Sequence, residues 1–370
     1  MTRHDLWRQL LIPGVLLALL AGPGMIRLAQ ASEEYDQVKL RYAGYLPAKH
    51  VREIFTQKWM DETTKRSGGR VQFEAFRDQA LLRTTDLLDG ASRGISDISY
   101  LATGYFPTEL PLTTLLEMPY LANNSEAQMA TALQMYQEFS QMREEYEKNN
   151  LVLIGNLAVD PTIMASREPW NNLADIKGKR IRAFGLINQV LAALGATPVA
   201  LPAPDIYTSM ERRVIEGYSG FPANLVPSMS LFEVSEYIID YGAGTYAMVA
   251  IAMNKTRFDG LNAKTRSLLV DTFAELVRDI YIADLTQLNH ERTKVLEEKG
   301  MKFIRWSKDE REKAREIVSS KVWDEAIRTR EARGVPARAF FARFQELMAK
   351  NEPASTKYID PVSVKLGRPN

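Results

Sequence analysis

The stretch "GKRIRAFGLINQVLAALG" (Gly178–Gly195) changes its period in the middle. Up to Phe184 it alternates, with Arg180, Arg182 and Phe184 on one face and Ile181 and Ala183 on the other, the period of a β-strand. Gly185 breaks the run. From there Leu186, Ile187, Val190, Leu191 and Leu194 recur at helical spacing, and Gly195 stands where a left-handed helix cap belongs. Arg182 therefore lies near the carboxyl end of a strand that feeds a helix. In open α/β sheets ligands bind at that edge.

The same alternation extends outward in both directions. "VKLRYAGYL" (Val38–Leu46) reads as a strand and the loop after it, followed by an amphipathic helix over Val51–Arg70 that buries Ile54, Phe55, Trp59 and Met60. "VQFEAF" (Val71–Phe76) is a second strand, "TTDLLDGASRG" (Thr84–Gly94) a helix and "ISDISYLAT" (Ile95–Thr103) a third strand. A second group of strands opens with Leu151–Val159 and continues through Gly178–Phe184, Ala196–Leu201 and Val214–Gly220. Ala247–Lys255 is a further strand. The longest helical pattern then runs from Asn262 to Glu298 and closes at Gly300. At 1.5 Å per residue it spans roughly 50 Å, enough to brace two lobes at once. The remainder is charged and mainly helical. Such βαβ alternation predicts an α/β protein with mixed sheets covered by helices. There is also an internal echo: "ASRGISDISY" (Ala91–Tyr100) matches "ERRVIEGYSG" (Glu211–Gly220) as basic helix end, acid and strand.

Length and composition bound the rest. The chain has 370 residues, 47 Lys and Arg against 46 Asp and Glu, and no cysteine. A near-neutral balance argues against a nucleic-acid or anionic-membrane surface, where basic excess supplies the affinity. At this size one core has usually stopped growing, so two lobes are expected. The first residues carry Arg3 and Arg8, an apolar core over Leu10–Leu20 and the small-residue site "AQA" (Ala29–Ala31). That is a secretory signal over 1–31, cleaved between Ala31 and Ser32. An uncleaved anchor fits less well, because Pro13, Gly14, Gly22, Pro23 and Gly24 interrupt a stretch shorter than a spanning helix needs. The expected product is an exported monomer. Its first lobe spans 32–157 plus 247–287 and its second 158–246 plus 288–370, with the long helix bridging them.

No catalytic constellation emerges. "GASRG" (Gly90–Gly94) matches the nucleophile-elbow pattern around Ser92, but that motif needs a strand before the serine and a helix after it, and here the order is reversed. Outside the signal the histidines are His50 and His290, and "HERTK" at His290 lacks the second histidine of a zinc helix. "YGAGTYA" (Tyr241–Ala247) has too few glycines for a dinucleotide loop. The runs Lys308–Ile317 and Arg328–Phe340 read as solvated helix faces, and Trp59, Trp306 and Trp323 as packing residues. No cofactor and no metal-ligand set is expected.

Several ordered motifs carry a family resemblance. Between Trp170 and Ile239 stand "DIKGKRIR" (Asp175–Arg182), "LGATPVALP" (Leu194–Pro202), "DIYTSM" (Asp205–Met210) and "IEG" (Ile215–Gly217). "YLPAKH" (Tyr45–His50), "SGGRVQFEAF" (Ser67–Phe76), "PLTTLLEMPYL" (Pro111–Leu121) and "MNKTRFDGL" (Met253–Leu261) follow the same order elsewhere. Together they resemble the DctP-type solute-binding proteins of tripartite ATP-independent periplasmic (TRAP) transporters. The resemblance implies a two-lobed periplasmic binding fold. It also implies an organic-acid ligand, delivery to a small and a large membrane subunit, and no chemical step.

In that family the arginine of the "IR" motif binds a carboxylate, and Arg182 occupies that position. Its planar fork suits two parallel hydrogen bonds to a carboxylate. A second family arginine aligns with Pro161, which favours a monocarboxylate over a dicarboxylate. The family's "DGQENP" becomes "EGYSGFP", placing Tyr218, Gly220 and Phe221 at the wall, and Phe184 replaces a small residue. With Tyr45, Leu101, Thr103 and Tyr105, these are the expected lining residues of a pocket for a partly apolar acid. The alternatives are a dicarboxylate-binding member of the family and a secreted enzyme acting on such acids. A binding protein that serves a receptor rather than a permease is a third.

Overall fold

Two mixed sheets form from the alternating stretches. The structure is a computed structural model describing residues 34–246, 248–360, 362, 365 and 366, so the expected signal over 1–31 lies outside the described residues. The strands are β1 (Val38–Ala43), β2 (Val71–Phe76), β3 (Ile98–Ala102), β4 (Leu151–Ala158), β5 (Thr162–Ser166), β6 (Arg180–Ala183), β7 (Thr197–Ala200), β8 (Gly217–Pro222), β9 (Tyr237–Asp240), β10 (Met248–Asn254) and β11 (Lys302–Arg305). The first sheet has the order β2-β1-β3-β10-β4 and the second β11-β9-β5-β8-β6-β7. In the first, β1 pairs in parallel with β2 and β3, while β10 runs antiparallel to β3 and β4. In the second, β6 is parallel to β7 and β8, and β5 is antiparallel to β8 and β9. Among the described residues three strand-level connections cross between the sheets: β4 to β5, β9 to β10, and β10 to β11.

The helices cover these sheets. They are α1 (Val51–Arg66), α2 (Leu87–Ser92), α3 (Ser125–Glu138), α4 (Ser140–Lys148), α5 (Ile187–Ala193), α6 (Ile206–Glu211), α7 (Leu225–Ser228), α8 (Lys255–Asp259), α9 (Ala263–Leu276), α10 (Ile282–Glu298), α11 (Lys308–Val318), α12 (Asp324–Glu331) and α13 (Ala337–Asn351). The Asn262–Glu298 pattern is one helical run. Asn262 caps α9 by accepting from Thr265 N, a π-helical turn over Val277–Tyr281 joins α9 to α10, and Gly300 follows with φ +78°. α9 packs on α1 and β4 of the first sheet, while α10 reaches α7 beside the second. Trp59 fixes the first contact, its Nε1 donating to Leu269 O at 3.0 Å.

The internal echo is structural. Asp97 precedes β3 and Glu216 precedes β8. Asp97 N donates to Arg41 O at 2.9 Å and Glu216 N to Arg180 O at 2.8 Å. In return Arg41 N donates to the Asp97 carboxylate at 2.7 Å and Arg180 N to the Glu216 carboxylate at 3.0 Å. Each acid thus pins a helix-to-strand turn onto the neighbouring parallel strand, once per sheet.

Two placements differ from the sequence reading. The strand grouping opens the second set at Leu151–Val159, although the 32–157 bound leaves most of it in the first lobe; β4 pairs with β10 and belongs to the first sheet. Its apolar run is filled by β10 on one edge, and the chain crosses over only after Ala158. The stretch 288–370 was assigned to the second lobe as a whole, and it divides. α11 lies against α5, whereas α13 lies against α3, burying Phe340, Phe344, Leu347 and Met348 with Leu112, Leu115 and Met135. Apolar faces on α3 and on the Thr113–Glu117 turn draw the tail back across the molecule. Trp323 seals that return by donating to Pro119 O at 3.0 Å.

Candidate functional site

β6 delivers Arg182 to the interior. Ile181 and Arg182 pair with Gly217 and Tyr218 of β8, Gly185 turns the chain with φ +55°, and α5 starts two residues later. The whole Arg182 residue is 0% exposed. Its Nε donates to Leu201 O at 2.8 Å, Nη1 to Ser219 O at 3.2 Å and Nη2 to the Tyr105 hydroxyl at 2.8 Å. The guanidinium also stacks over Phe184, 5.2 Å from its centroid. Every one of these partners is neutral. Among the described residues no carboxylate lies within 4 Å of Arg182, and Glu216 pairs instead with Lys179 and Arg180. Burying a charge without a countercharge costs several kcal/mol, a cost that an anion placed beside Arg182 would offset.

A cavity of about 20 Å³ adjoins this group, lined by Tyr45, Arg52, Ala102, Tyr105, Val159, Arg182, Phe184, Ala203, Gly220, Phe221, Pro222, Leu225, Tyr246, Met248 and Val249. Residues from both sheets meet here with Val159 of the β4–β5 crossover and Tyr246 of the β9–β10 crossover. The Tyr105 and Phe184 rings stack at 4.6 Å and 24°, and they also line an outer cleft of about 440 Å³ bordered by Gly104, Glu117, Pro202, Arg330 and Arg333. The stack is thus the partition between outer cleft and inner cavity. The Tyr105 oxygen accepts from both Arg182 Nη2 and Ala203 N at 3.1 Å, so its own hydrogen is left to donate. Tyr246 Oη is buried without a hydrogen-bond partner, as is Arg52 Nη1. Burial raises the Tyr105 and Tyr246 pKa values, which keeps both hydroxyls protonated as donors.

Of the residues expected from sequence, Arg182, Phe184, Gly220, Phe221, Tyr45 and Tyr105 line this cavity together. Tyr218, Leu101 and Thr103 do not. Tyr218 starts level with Arg182 in the β6–β8 register, yet its hydroxyl meets Ser235 Oγ at 3.1 Å and its ring packs edge-on against Phe221. The longer arginine reaches forward from the same level; the tyrosine turns inward. In β3 the parity is the opposite of that expected. Ala102 lines the cavity, and Tyr100, the 2.7 Å acceptor for Arg52 Nε, has the same parity, which puts Leu101 and Thr103 on the other side. Thr103 instead donates to Glu117 Oε1 at 2.5 Å. The 3₁₀ turn Thr103–Tyr105 then resets the phase and brings Tyr105 back.

Arg52 and Tyr246 were not expected. Tyr246 ends the crossover into β10, a place the "YGAGTYA" stretch gave no reason to weigh. Arg52 is a cation in the first turn of α1, just after the His50 cap, where the helix dipole disfavours positive charge. That local conflict was the available signal.

Gly220 has φ +65°, and a Cβ there would stand 2.6 Å from Tyr246 Oη and 3.2 Å from Phe184. Gly220→Ala is expected to cost about 1–2 kcal/mol from the left-handed backbone alone. Urea unfolding would measure that loss, and the displaced Tyr246 would weaken ligand binding as well.

Two buried carboxyl groups behind the outer cleft set a pH dependence. Burial pushes Glu117 and Glu145 up to about 7, against hydrogen bonds from Thr103 and Met248 N in one case and from Leu112 N and Thr113 in the other. Arg330, which lies near both, opposes the rise. A folded-state value above the ordinary carboxyl range means the folded chain holds extra protons between about pH 4.5 and 7. The stability from these protons is present below that window and lost as pH rises through it. The melting temperature is therefore expected to fall from pH 5 to pH 8, and Glu117→Gln to flatten the slope, by up to about 3 kcal/mol per group.

Two mixed sheets joined by crossovers, with a buried unpaired cation between them, define a two-lobed solute-binding protein. The sequence profile of the DctP family, bacterial extracellular solute-binding protein, family 7, matches residues 42–329, and the chain belongs to that family. Among curated relatives it is 26% identical over 225 residues to the 2,3-diketo-L-gulonate-binding periplasmic protein YiaO of Escherichia coli, covering 60% of this chain and 67% of that one. It is 25% identical over 279 residues to the ectoine-binding periplasmic protein TeaA of Halomonas elongata, covering 73% and 79%. In fold it matches a TRAP solute-binding protein of Rhodoferax ferrireducens solved with copurified benzoate, at TM-score 0.78, 22% identity, and coverage of 86% and 100%. A TRAP periplasmic solute-binding protein of Bordetella bronchiseptica with bound (R)- and (S)-mandelate matches at TM-score 0.75, 23% identity, and coverage of 85% and 99%.

Proposed function

We propose that this chain is the extracytoplasmic binding subunit of a TRAP transporter, exported to the periplasm, and that it captures a small, partly apolar organic monocarboxylate. The observation that carries this reading is the Arg182 guanidinium, fully buried, bonded only to neutral oxygens and facing an aromatic-walled cavity between the sheets. An acid entering from the outer cleft passes the Tyr105–Phe184 stack. Its carboxylate takes Arg182 as countercharge and accepts from the Tyr105 and Tyr246 hydroxyls. Closure of the 32–157 and 158–246 portions about the crossovers excludes water and strengthens the pair. The closed form then presents the acid to the small and large membrane subunits, without a chemical step.

A single carboxylate is favoured on charge. The other buried guanidinium of the cavity, Arg52, already has Asp160 at 4.0 Å, which leaves one net positive charge to be matched. Aromatic acids are apt occupants, and benzoate and mandelate sit in the two solved proteins of this fold named above. A thermal-shift screen of the purified chain against mono- and dicarboxylates tests the reading. Stabilisation by monocarboxylates is expected, whereas turnover of any acid in the mixture, or a preference for dicarboxylates throughout, would refute it.

A further inference from the structure

We infer that Arg52 is the second recognition group of the pocket and that the captured acid carries, besides its carboxylate, an uncharged acceptor oxygen, a hydroxyl or keto group, held by Arg52 Nη1. The inference rests on the carboxylate-binding reading above and adds the class of acid. Arg52 is 2% exposed and lines the same cavity as Arg182. Its Nε is committed to the Tyr100 hydroxyl at 2.7 Å, while its Nη1 is buried with no hydrogen-bond partner. A buried donor left unpaired is costly, the more so when charged, and because Arg52 lines the cavity an acceptor seated there would relieve that cost.

The two arginines are joined by one aromatic wall. The Tyr45 ring packs edge-on at 5.5 Å against Tyr100, the partner of Arg52, and at 6.5 Å against Tyr105, the partner of Arg182. In a pocket opened to admit it, a small acid lying along Tyr45 would meet a guanidinium at either end. The two ends differ in charge balance. Arg182 has no carboxylate within 4 Å among the described residues. Arg52 has Asp160 at 4.0 Å, close enough to balance its charge and too far for a hydrogen bond. A second carboxylate at Arg52 would also confront Asp160. A neutral oxygen takes the free N–H without that repulsion.

The placement of Arg52 agrees. In the second position of α1 it faces an unfavourable helix dipole, while Asp160, Tyr100 and the cavity hold it in place. Such a local conflict is expected where a side chain serves a site rather than its own helix.

Calorimetric titration of the full chain with matched acids tests this: benzoate against 3-hydroxybenzoate, phenylacetate against mandelate, and butyrate against 2-hydroxybutyrate, 2-oxobutyrate and succinate. In at least one set the hydroxy or keto acid is expected to bind about tenfold or more tightly than its unsubstituted partner, one hydrogen bond's worth of about 1.4 kcal/mol. In Arg52→Met that ratio is expected to fall to within about threefold. Arg52→Lys, which retains a cation beside Asp160, reads the same ratio should the methionine variant not fold. An unchanged ratio in these variants overturns the inference, as does equal weakening of both members of a set, tighter binding of succinate, or no preference in the native chain. Arg182→Ala separates the two levels. If it abolishes binding while Arg52 substitution leaves the ratio intact, only the present inference fails; if acids still bind without Arg182, the carboxylate reading fails first.

Discussion

Arg182→Ala is expected to abolish the rise in melting temperature that an acid ligand produces in the native chain. An acid at 100 times its dissociation constant stabilises the native protein by about 2.7 kcal/mol, and nearly all of that should vanish. The reason is the charge environment. Arg182 is enclosed with neutral partners only: the Leu201, Ser219 and Gly220 carbonyls and the Tyr105 hydroxyl. A ligand carboxylate is then its sole close countercharge, in a site where little water screens the pair. Truncating one member of such a buried, hydrogen-bonded pair costs about 2–5 kcal/mol, roughly 30- to several-thousand-fold in dissociation constant. Arg182→Lys should lose most of this too, because an ammonium cannot hold the Leu201 and Ser219 carbonyls and a carboxylate with one planar fork. Differential scanning fluorimetry with and without acid measures it. A melting shift that survives in both variants would mean the anion is held by another group.

The second large effect is expected at Asp160, and it is one of stability. Asp160 lies in the crossover from β4 to β5, and four elements converge on its carboxylate. Asn224 Nδ2 at the start of α7 donates at 2.5 Å, Asn289 Nδ2 on α10 at 2.5 Å, and the Tyr358 hydroxyl at 2.6 Å, with Arg52 Nη1 at 4.0 Å. Burial raises its pKa, and these donors and the guanidinium oppose the rise. Each neighbour offers a hydrogen or a positive charge, which suits the ionised form. Asp160→Ala strands three buried donors and leaves Arg52 without a countercharge. The expected loss is about 3–5 kcal/mol, which in a chain of this size lowers the melting temperature by on the order of 10 °C. Because part of the loss is the orphaned guanidinium, Asp160→Ala combined with Arg52→Met should cost less than the two single changes added together. Urea unfolding of the four proteins completes the cycle. A single-variant loss below about 1 kcal/mol, or strict additivity, would show that the network does not couple the crossover to α1.

Much of the cavity lining was legible in local sequence, and the residues placed elsewhere share one cause. Arg182, Phe184, Gly220 and Phe221 lie on or next to strands whose alternation is plain, and the structure brings them together. Leu101 and Thr103 sit on a β3 strand buried along its whole length, so hydrophobicity could not say which parity faced the cavity. Tyr218 has the right register but the wrong reach. Arg52 and Tyr246 come from a helix start and a crossover, where no periodicity points to a shared destination, and only packing sends them to one point. The tail was assigned to one lobe because helical spacing records that α13 has an apolar face and says nothing about which neighbour covers it.

The amino-acid sequence by itself determined the alternation of strand and helix, the long helical run ending at Gly300 and the arginine at a strand end. These depend on neighbours in the chain, through side-chain period, caps and the positive φ of glycine. Tertiary structure alone decided that β4 pairs with β10, that α13 folds back onto α3, and that Arg52 and Arg182 share one cavity with only one of them balanced by a carboxylate. Those outcomes depend on which charges and apolar faces meet across long separations, and no local period encodes that meeting.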